Sequence, residues 1–354
     1  MPLPSLHPYR YNQKERRSLL EVLQDFSSAQ PPLERLLEAA PLLQPRQFSL
    51  ASAPAAHGSR AAVLVAVVAW KTPSNRPRKG LVTNWLAGLQ QGSGAGDGTA
   101  GAGVGADCFV GGGSGEGVVR VPVWVDRGAF RLPPDESTPL LMVGPGTGVA
   151  PFRSFCWQRA ALRQLQQQQQ GQIAAEAGAA PSSDSSSSGC LFFGCRSPDA
   201  DFYYEEEWWP IMQTGALHQQ HGLVAAFSRH SPQPTQPELL QMLQRAAETS
   251  QQQDSGQQEL QQQPLQQPTA ASVSSSSRVY VTHKLREHGA AVWKLLSEQG
   301  GWVYVSGSAE KMPAGVVSAL EDVAATHGGL STEAAAKFVR QLELTGRYHV
   351  EAWS

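Results

Sequence analysis

Apolar and polar positions change their period along this chain. Arg16 to Ser27 and Pro32 to Leu43 repeat apolar residues at helical spacing and predict two helices. Gln47 to Ala53, Ala61 to Trp70 and the alternating run VVRVPVWV (Val118 to Val125) predict strands. After Pro139 the character shifts. LLMV, CLFFGC, GLVAAF, RVYVT and WVYVSG are short apolar runs, each followed by a helical stretch or a polar insertion. Alternation of that kind predicts a parallel α/β sheet. The expected architecture is a β-rich first half joined near Pro133 to Thr138 to a doubly wound second half.

Three segments interrupt this pattern. Gln91 to Gly117 is dominated by Gly, Ala and Ser. Gln164 to Ser188 is a glutamine run followed by serines. Pro232 to Ser277 is mostly Gln, Pro and Ser, with a helical patch at Pro237 to Glu248. Such composition buries too little apolar surface to offset the entropy of ordering, so all three are expected to be disordered insertions.

The totals narrow the function classes. The chain has 354 residues, enough for two domains, and a formal net charge of −2, which argues against a nucleic-acid face or a polybasic membrane anchor. The N-terminus lacks the apolar core of a secretory signal. The run Ala61 to Trp70 is about half the roughly 20 residues that span a bilayer. Cys108, Cys156, Cys190 and Cys195 form no C-x-x-C pair, so neither a zinc site nor a disulfide framework is expected, and a reducing cytosol fits.

The candidate chemistry lies in PLLMVGPGTGVAPFR, Pro139 to Arg153. A short apolar strand leads into Gly144, Gly146 and Gly148, which let backbone approach a ligand without Cβ clashes. Pro151 stands where a helix begins. Strand, glycine loop and helix in this order build a dinucleotide site, with the pyrophosphate on the helix N-terminus. Thr147 adds a hydroxyl. The spacing is G-x-G-x-G rather than the common G-x-G-x-x-G, so a plain glycine turn stays open. Ser228 and Arg229 follow one predicted strand, and Arg278, Val279 and Tyr280 open another. Arginines there suit a 2′-phosphate, and Tyr280 offers a face to adenine. An edge charge and a half-buried aromatic are the alternative.

The first half poses a matching question. In RQFSLAS, Arg46, Gln47, Phe48 and Ser49 place a guanidinium, a stacking ring and a small hydroxyl on one short segment, which are the needs of a flavin. KGLVTNWL takes Gly80, Leu81, Val82 and Thr83 into a helix and offers a second pyrophosphate cradle. A strand edge and a helix cap are the alternative. Trp353, one residue from the end, is either tail packing or a cover for a flat ring.

Taken together, these stretches resemble the NADPH-dependent diflavin reductases. RQFSLAS is similar to that family's flavin strand motif and KGLVTNWL to its FAD pyrophosphate motif. MVGPGTGVAPFR, LFFGCRSPDADFYYEEEW, SRVYVTHKLRE, YVSGSAEKMP and EAWS follow in the family's order. The resemblance implies a partial FAD-binding antiparallel β-barrel with a helical connecting segment, then a doubly wound parallel-sheet NADPH-binding domain. The implied bounds are 1–45 for the connecting segment, 46–135 for the FAD domain and 136–354 for the NADPH domain.

The resemblance also implies roles. Arg16, Arg46, Gln47, Phe48 and Ser49 would bind FAD, with Phe48 stacked on the isoalloxazine, and Gly80 to Thr83 would hold its pyrophosphate. Thr147 would contact NADPH. Ser228, Arg229 and Arg278, Val279, Tyr280, Val281 and Thr282 would take the adenosine and its 2′-phosphate. Ser49, Ser306, Glu351 and Trp353 would surround hydride transfer, and no metal is needed. Electrons would pass onward through FMN to an iron–sulfur acceptor resembling anamorsin, in cytosolic iron–sulfur cluster assembly. Four positions depart from the family's usual residues: Thr282 for glutamine, Ser306 for cysteine, Gly315 for aspartate and Glu351 for aspartate. The family's flavodoxin-like FMN domain has no counterpart here, so a fragment of a longer protein is the expectation. A stand-alone single-flavin reductase resembling ferredoxin–NADP reductase and a non-catalytic interaction module are the other two readings.

Overall fold

A computed structural model describes residues 9–89, 121–177, 189–255 and 278–353. They fall into two compact units. One holds residues 9–48, 65–89 and 121–122, and the other holds 49–64 and the described residues from 123 onward.

The first unit is built from short elements. Helices α1 (Leu19–Asp25) and α2 (Leu33–Ala39) are shorter than their periodic patterns suggest. Ser18 starts α1 with a reciprocal cap: its Oγ accepts the Glu21 N–H at 3.3 Å, and Glu21 Oε2 accepts the Ser18 N–H at 2.8 Å. Strands β1 (Ala69–Lys71) and β2 (Pro77–Lys79) form a two-stranded antiparallel ribbon, followed by α4 (Leu81–Ala87). Arg78 on β2 reaches Glu21 Oε1 and Oε2, both at 2.7 Å, and so ties the ribbon to α1.

Several expected strands are not formed. Gln47 to Ala53 is extended backbone with one antiparallel bridge, Leu50 to Val63, supported by Ala51 N–H to the Ala62 carbonyl at 2.7 Å. Of Ala61 to Trp70, only the last two residues enter a ladder. In the run Val118 to Val125, residues 118–120 lie outside the described residues, and 121–125 form no ladder with any described residue. β-branched composition predicts a strand, but a strand needs a neighbour to exchange hydrogen bonds with.

The second unit contains the parallel sheet. Its strands are β3 (Leu140–Pro145), β4 (Cys190–Cys195), β5 (Leu223–Phe227), β6 (Trp302–Ser308) and β7 (Tyr348–Trp353), in spatial order β5-β4-β3-β6-β7. All neighbours are parallel. Side chains alternate between two cores, as a period of two requires. Leu140, Met142, Leu191, Phe193 and Tyr304 face α5 (Ala150–Ala177), α7 (Glu205–Gln213) and α8 (Gln236–Ser255). Leu141, Val143, Phe192, Val303 and Val305 face α9 (Val281–Glu287), α11 (Met312–Gly328) and α12 (Thr332–Leu344). Burial on both faces explains why these strands read as continuous apolar runs. Each fully buried Leu or Phe contributes about 1.5–3 kcal/mol. The remaining short helices are α3 (Pro54–His57), α6 (Pro198–Asp201) and α10 (Gly289–Trp293).

Three sequence expectations are corrected here. RVYVT is not a strand: Arg278 to Tyr280 is extended, and Val281 begins α9, with the Tyr280 N–H held by His283 Nδ1 at 3.0 Å. The first part of the Gln164 to Ser188 segment is helix, since α5 runs on through the glutamines to Ala177. Glutamine is a good helix former, and a helix already nucleated on a core extends at little cost. In Pro232 to Ser277 the helical patch expected at Pro237 to Glu248 is present and runs longer than expected, as α8, whose Leu239 and Leu243 are buried in the core. Residues 178–188 and 256–277, and all of Gln91 to Gly117, lie outside the described residues. Strand β7 was not expected from the sequence at all.

Candidate active site

The order in which the chain adds strands reverses between β3 and β6. Open α/β sheets bind ligands beyond the carboxyl ends of strands at such a reversal. There β3 ends in a glycine loop that forms one 3-10 turn, Gly146–Val149, before α5. Gly146 has a φ of +57° and open space around it. Gly148 packs directly on the carbonyl of Ser306 at the end of β6, where an added Cβ would overlap that oxygen. At Gly144 a Cβ would lie 2.8 Å from the Gly148 carbonyl. Side chains are thus sterically barred at Gly144 and Gly148, which leaves their backbone N–H groups bare at a helix start. That is the donor set a pyrophosphate requires, and it fits NADPH.

The same edge collects four other predicted residues. Ser49 Oγ donates to Glu351 Oε1 at 2.6 Å. Glu351 is the register partner of Ser306 on β6. Ser306 is fully buried and its Oγ has no hydrogen-bond partner among the described residues. Trp353 ends β7 with 40% of its surface exposed, its carbonyl accepting the Ala309 N–H at 2.9 Å.

The residues expected to take the adenosine lie beyond β5, the strand at one edge of the sheet. Ser228 and Arg229 follow β5, their N–H groups donating to the carbonyls of Cys195 and Arg196 at 2.9 and 2.8 Å. Ser228 is half-buried and Arg229 exposed. Helix α9 packs against β4 and β5, which brings the Arg278 to Thr282 segment to that side. Arg278 and Tyr280 are exposed, Val279 and Thr282 half-buried, and Val281 is buried against Gly194. Thr282 and Gly315 are neighbours: a Cβ on Gly315 would lie 3.3 Å from Thr282 Cγ2.

In the first unit, Gly80 caps α4 with no side-chain cap, and a Cβ there would meet Thr83 Oγ1 at 2.8 Å. Thr83 Oγ1 accepts the Val68 N–H at 3.1 Å, Val82 is half-buried and Leu81 exposed. This glycine start of a helix fits an FAD pyrophosphate on the same grounds as the loop after β3. Arg46 points at the Gln44 carbonyl, Gln47 is exposed, and Phe48 is 37% exposed with its ring open for stacking. Arg16 has a φ of +46° and lies 6.0 Å from the Trp70 ring.

Two supports escaped sequence reasoning. Arg153 makes a bidentate pair with Glu207 at 2.7 and 2.6 Å and also donates to the Ala51 carbonyl at 2.7 Å. Ser154 Oγ donates to the Ser52 carbonyl at 2.8 Å. The first turn of α5 therefore holds the backbone just after Ser49. Neither pairing has a sequence signal, because the partners lie about fifty and a hundred residues away. Burial pushes the Cys156 thiol up to about 12, so it is no nucleophile. Among the described residues no cluster could hold a metal, and no helix is long and apolar enough to cross a membrane.

Comparison with known proteins agrees with this arrangement. Residues 7–85 match the family model of an FAD binding domain, and residues 142–239 that of an oxidoreductase NAD-binding domain. NADPH-dependent diflavin oxidoreductase 1 of Arabidopsis thaliana is 37% identical over 350 residues, which are 98% of this chain and 42% of that protein. The Bos taurus protein of the same name is 34% identical over 346 residues, again 42% of its length. NADPH–cytochrome P450 reductase of Bos taurus is 31% identical over 345 residues, 38% of its length. The chain spans about two fifths of the curated relatives it matches.

A glycine-lined nucleotide edge on a parallel sheet, preceded by an FAD-binding segment, defines an oxidoreductase of the two-domain FAD and NAD(P) class. Within that class the chain belongs to the NADPH-dependent diflavin reductase family.

Proposed function

We propose that this chain is the part of a diflavin reductase that takes reducing equivalents from NADPH and delivers them to FAD. The observation that carries the reading is the meeting of Gly148, Ser306, Glu351 and Ser49 at the reversal of strand order. When bound, nicotinamide and flavin supply the hydride chemistry between them. The chain's residues bind and orient. Gly144, Gly146, Thr147 and Gly148 hold a pyrophosphate with backbone donors. Ser228 and Arg229, with Arg278 to Thr282, hold the adenosine and a 2′-phosphate. Arg46, Phe48 and Gly80 to Thr83 hold FAD, and Trp353 covers the flavin ring. Glu351 supplies a carboxylate that favours a positively charged ring beside it, and Ser49 fixes its orientation.

The domain bounds belong to the same reading: 46–135 for FAD and 136–354 for NADPH. Onward transfer through FMN to an iron–sulfur protein resembling anamorsin, in cytosolic iron–sulfur assembly, rests on the family resemblance alone. The test is anaerobic. The purified chain is loaded with FAD, freed of excess and mixed with NADPH, and the flavin absorbance is followed. Bleaching is expected, faster with NADPH than with NADH. Flavin that binds and stays oxidised would refute the reading.

A further inference from the structure

The turn after β5 is braced by a residue of the glutamine-rich segment. Phe227 is the last residue of β5, which is an edge strand. In a parallel ladder the N–H and C=O of one residue point to the same side. The backbone groups of Ser228 and Arg229 turn inward to Cys195 and Arg196. Those of Phe227 turn outward, where no strand follows. Gln233 fills that place. Its Oε1 accepts the Phe227 N–H at 3.0 Å, and its Nε2 donates to the Phe227 carbonyl at 2.7 Å. The same Nε2 donates to the His230 carbonyl at 2.6 Å, closing a loop around Ser228 and Arg229. One primary amide thus stands in for a neighbouring strand, giving one hydrogen bond and receiving another.

Gln233 is itself held in place. Thr235 N–H and Oγ1 bond Glu238 Oε2 at 2.7 and 2.8 Å, starting α8 two residues on. Gln236 Nε2 donates to the Leu223 carbonyl at 2.8 Å, at the other end of the same strand edge. Leu239 and Leu243 anchor α8 in the core. From the opposite side Asp201 secures the turn: its carboxylate accepts the Arg196 N–H at 2.6 Å and Arg196 Nε at 3.0 Å, and the Arg196 carbonyl receives the Arg229 N–H.

We propose that Gln233 is a positioning residue for the 2′-phosphate of NADPH, acting by clamping the Ser228–Arg229 turn through the backbone of Phe227 and His230. The inference rests on the assignment of that turn to the 2′-phosphate. It gives part of the glutamine-rich segment a task in coenzyme choice. An exposed arginine binds a phosphate well only when its backbone is fixed beforehand, since otherwise binding must order the turn.

The test uses 2′,5′-ADP and 5′-AMP as probes, with affinities from isothermal titration calorimetry on the full chain, so no flavin is needed. Gln233→Ala is expected to weaken 2′,5′-ADP about tenfold, the loss of roughly one good hydrogen-bond set, and to leave 5′-AMP unchanged. Gln233→Met removes the amide while keeping the length of the side chain and adding no charge, and is expected to lose affinity for 2′,5′-ADP as the alanine variant does; it also serves if the alanine variant does not fold. Arg229→Ala is the control. If it loses the preference for 2′,5′-ADP while both Gln233 variants keep it, the clamp is refuted and the site stands. If Arg229→Ala itself keeps the preference, the assignment of the turn is wrong and the clamp falls with it. Equal losses for both probes would make Gln233 merely structural and also overturn the proposal.

Discussion

Ser49 and Glu351 are joined by a 2.6 Å hydrogen bond across 302 positions of sequence. The bond brings the segment after RQF onto the last strand of the sheet, at the edge where the glycine loop ends. Ser49→Ala and Glu351→Ala remove the same contact from opposite sides. Each is expected to slow flavin reduction by NADPH about tenfold or more, and the double variant is expected to lose little beyond the worse single one. Stopped-flow absorbance on the FAD-loaded chain measures this. Additive losses would mean that the two residues act separately.

The glycine loop separates two kinds of glycine. Gly148→Ala drives a methyl into the Ser306 carbonyl, which is backbone and cannot step aside. It is expected to cost about 2–3 kcal/mol and to abolish binding at the loop. Gly146→Ala meets nothing and suffers only its φ of +57°, for about 1 kcal/mol. Urea melts of the two variants compare them directly.

Arg153 and Glu207 form a pair whose side chains are only 11% and 20% exposed. Breaking it from one side strands a charge. Arg153→Met is expected to cost about 3 kcal/mol, and Arg153→Met with Glu207→Leu distinctly less. Thermal or denaturant unfolding of the three proteins reads the difference.

Acid should loosen the first unit in a defined window. The Glu21 carboxylate is held down at about 2, from an ordinary 4.5, first by its hydrogen bonds to Arg78 and then by the Ser18 N–H. A depressed carboxylate stabilises the fold above its unfolded value and loses that contribution as pH falls toward its folded value. Protection of α1 amides from hydrogen exchange is therefore expected to decline between about pH 4.5 and about pH 2. Arg78→Met should flatten that decline. An unchanged profile in the variant would remove Arg78 as its cause.

Strands β4 and β6 were legible because burial on both faces leaves a continuous apolar run. CLFFGC coincides with its strand residue for residue. RVYVT carries the same composition and failed, because the N-terminal packing of α9 decides its conformation rather than side-chain type. Strand β7 alternates apolar with polar in YHVEA, as a half-buried edge strand does, and lacks the continuous apolar run by which the other strands of the sheet were read. The glycine loop and the Ser49, Glu351 and Trp353 positions were readable as motifs. Their supports, Arg153 with Glu207 and Gln233 with Phe227, were not. Hydrogen bonds from a side chain to distant backbone leave no periodicity to read.

Helix α5 has 28 residues and so runs about 42 Å, while the six-residue strand β3 that feeds it covers about 20 Å. The helix must therefore overshoot the sheet, starting at the coenzyme edge and ending well past the opposite one. The described chain ends there at Ala177 and resumes at Gly189, one residue before β4. The glutamines in the last turns of α5 therefore stand beyond the end of the sheet opposite the glycine loop, and a change in their number displaces nothing at the carboxyl ends of the strands.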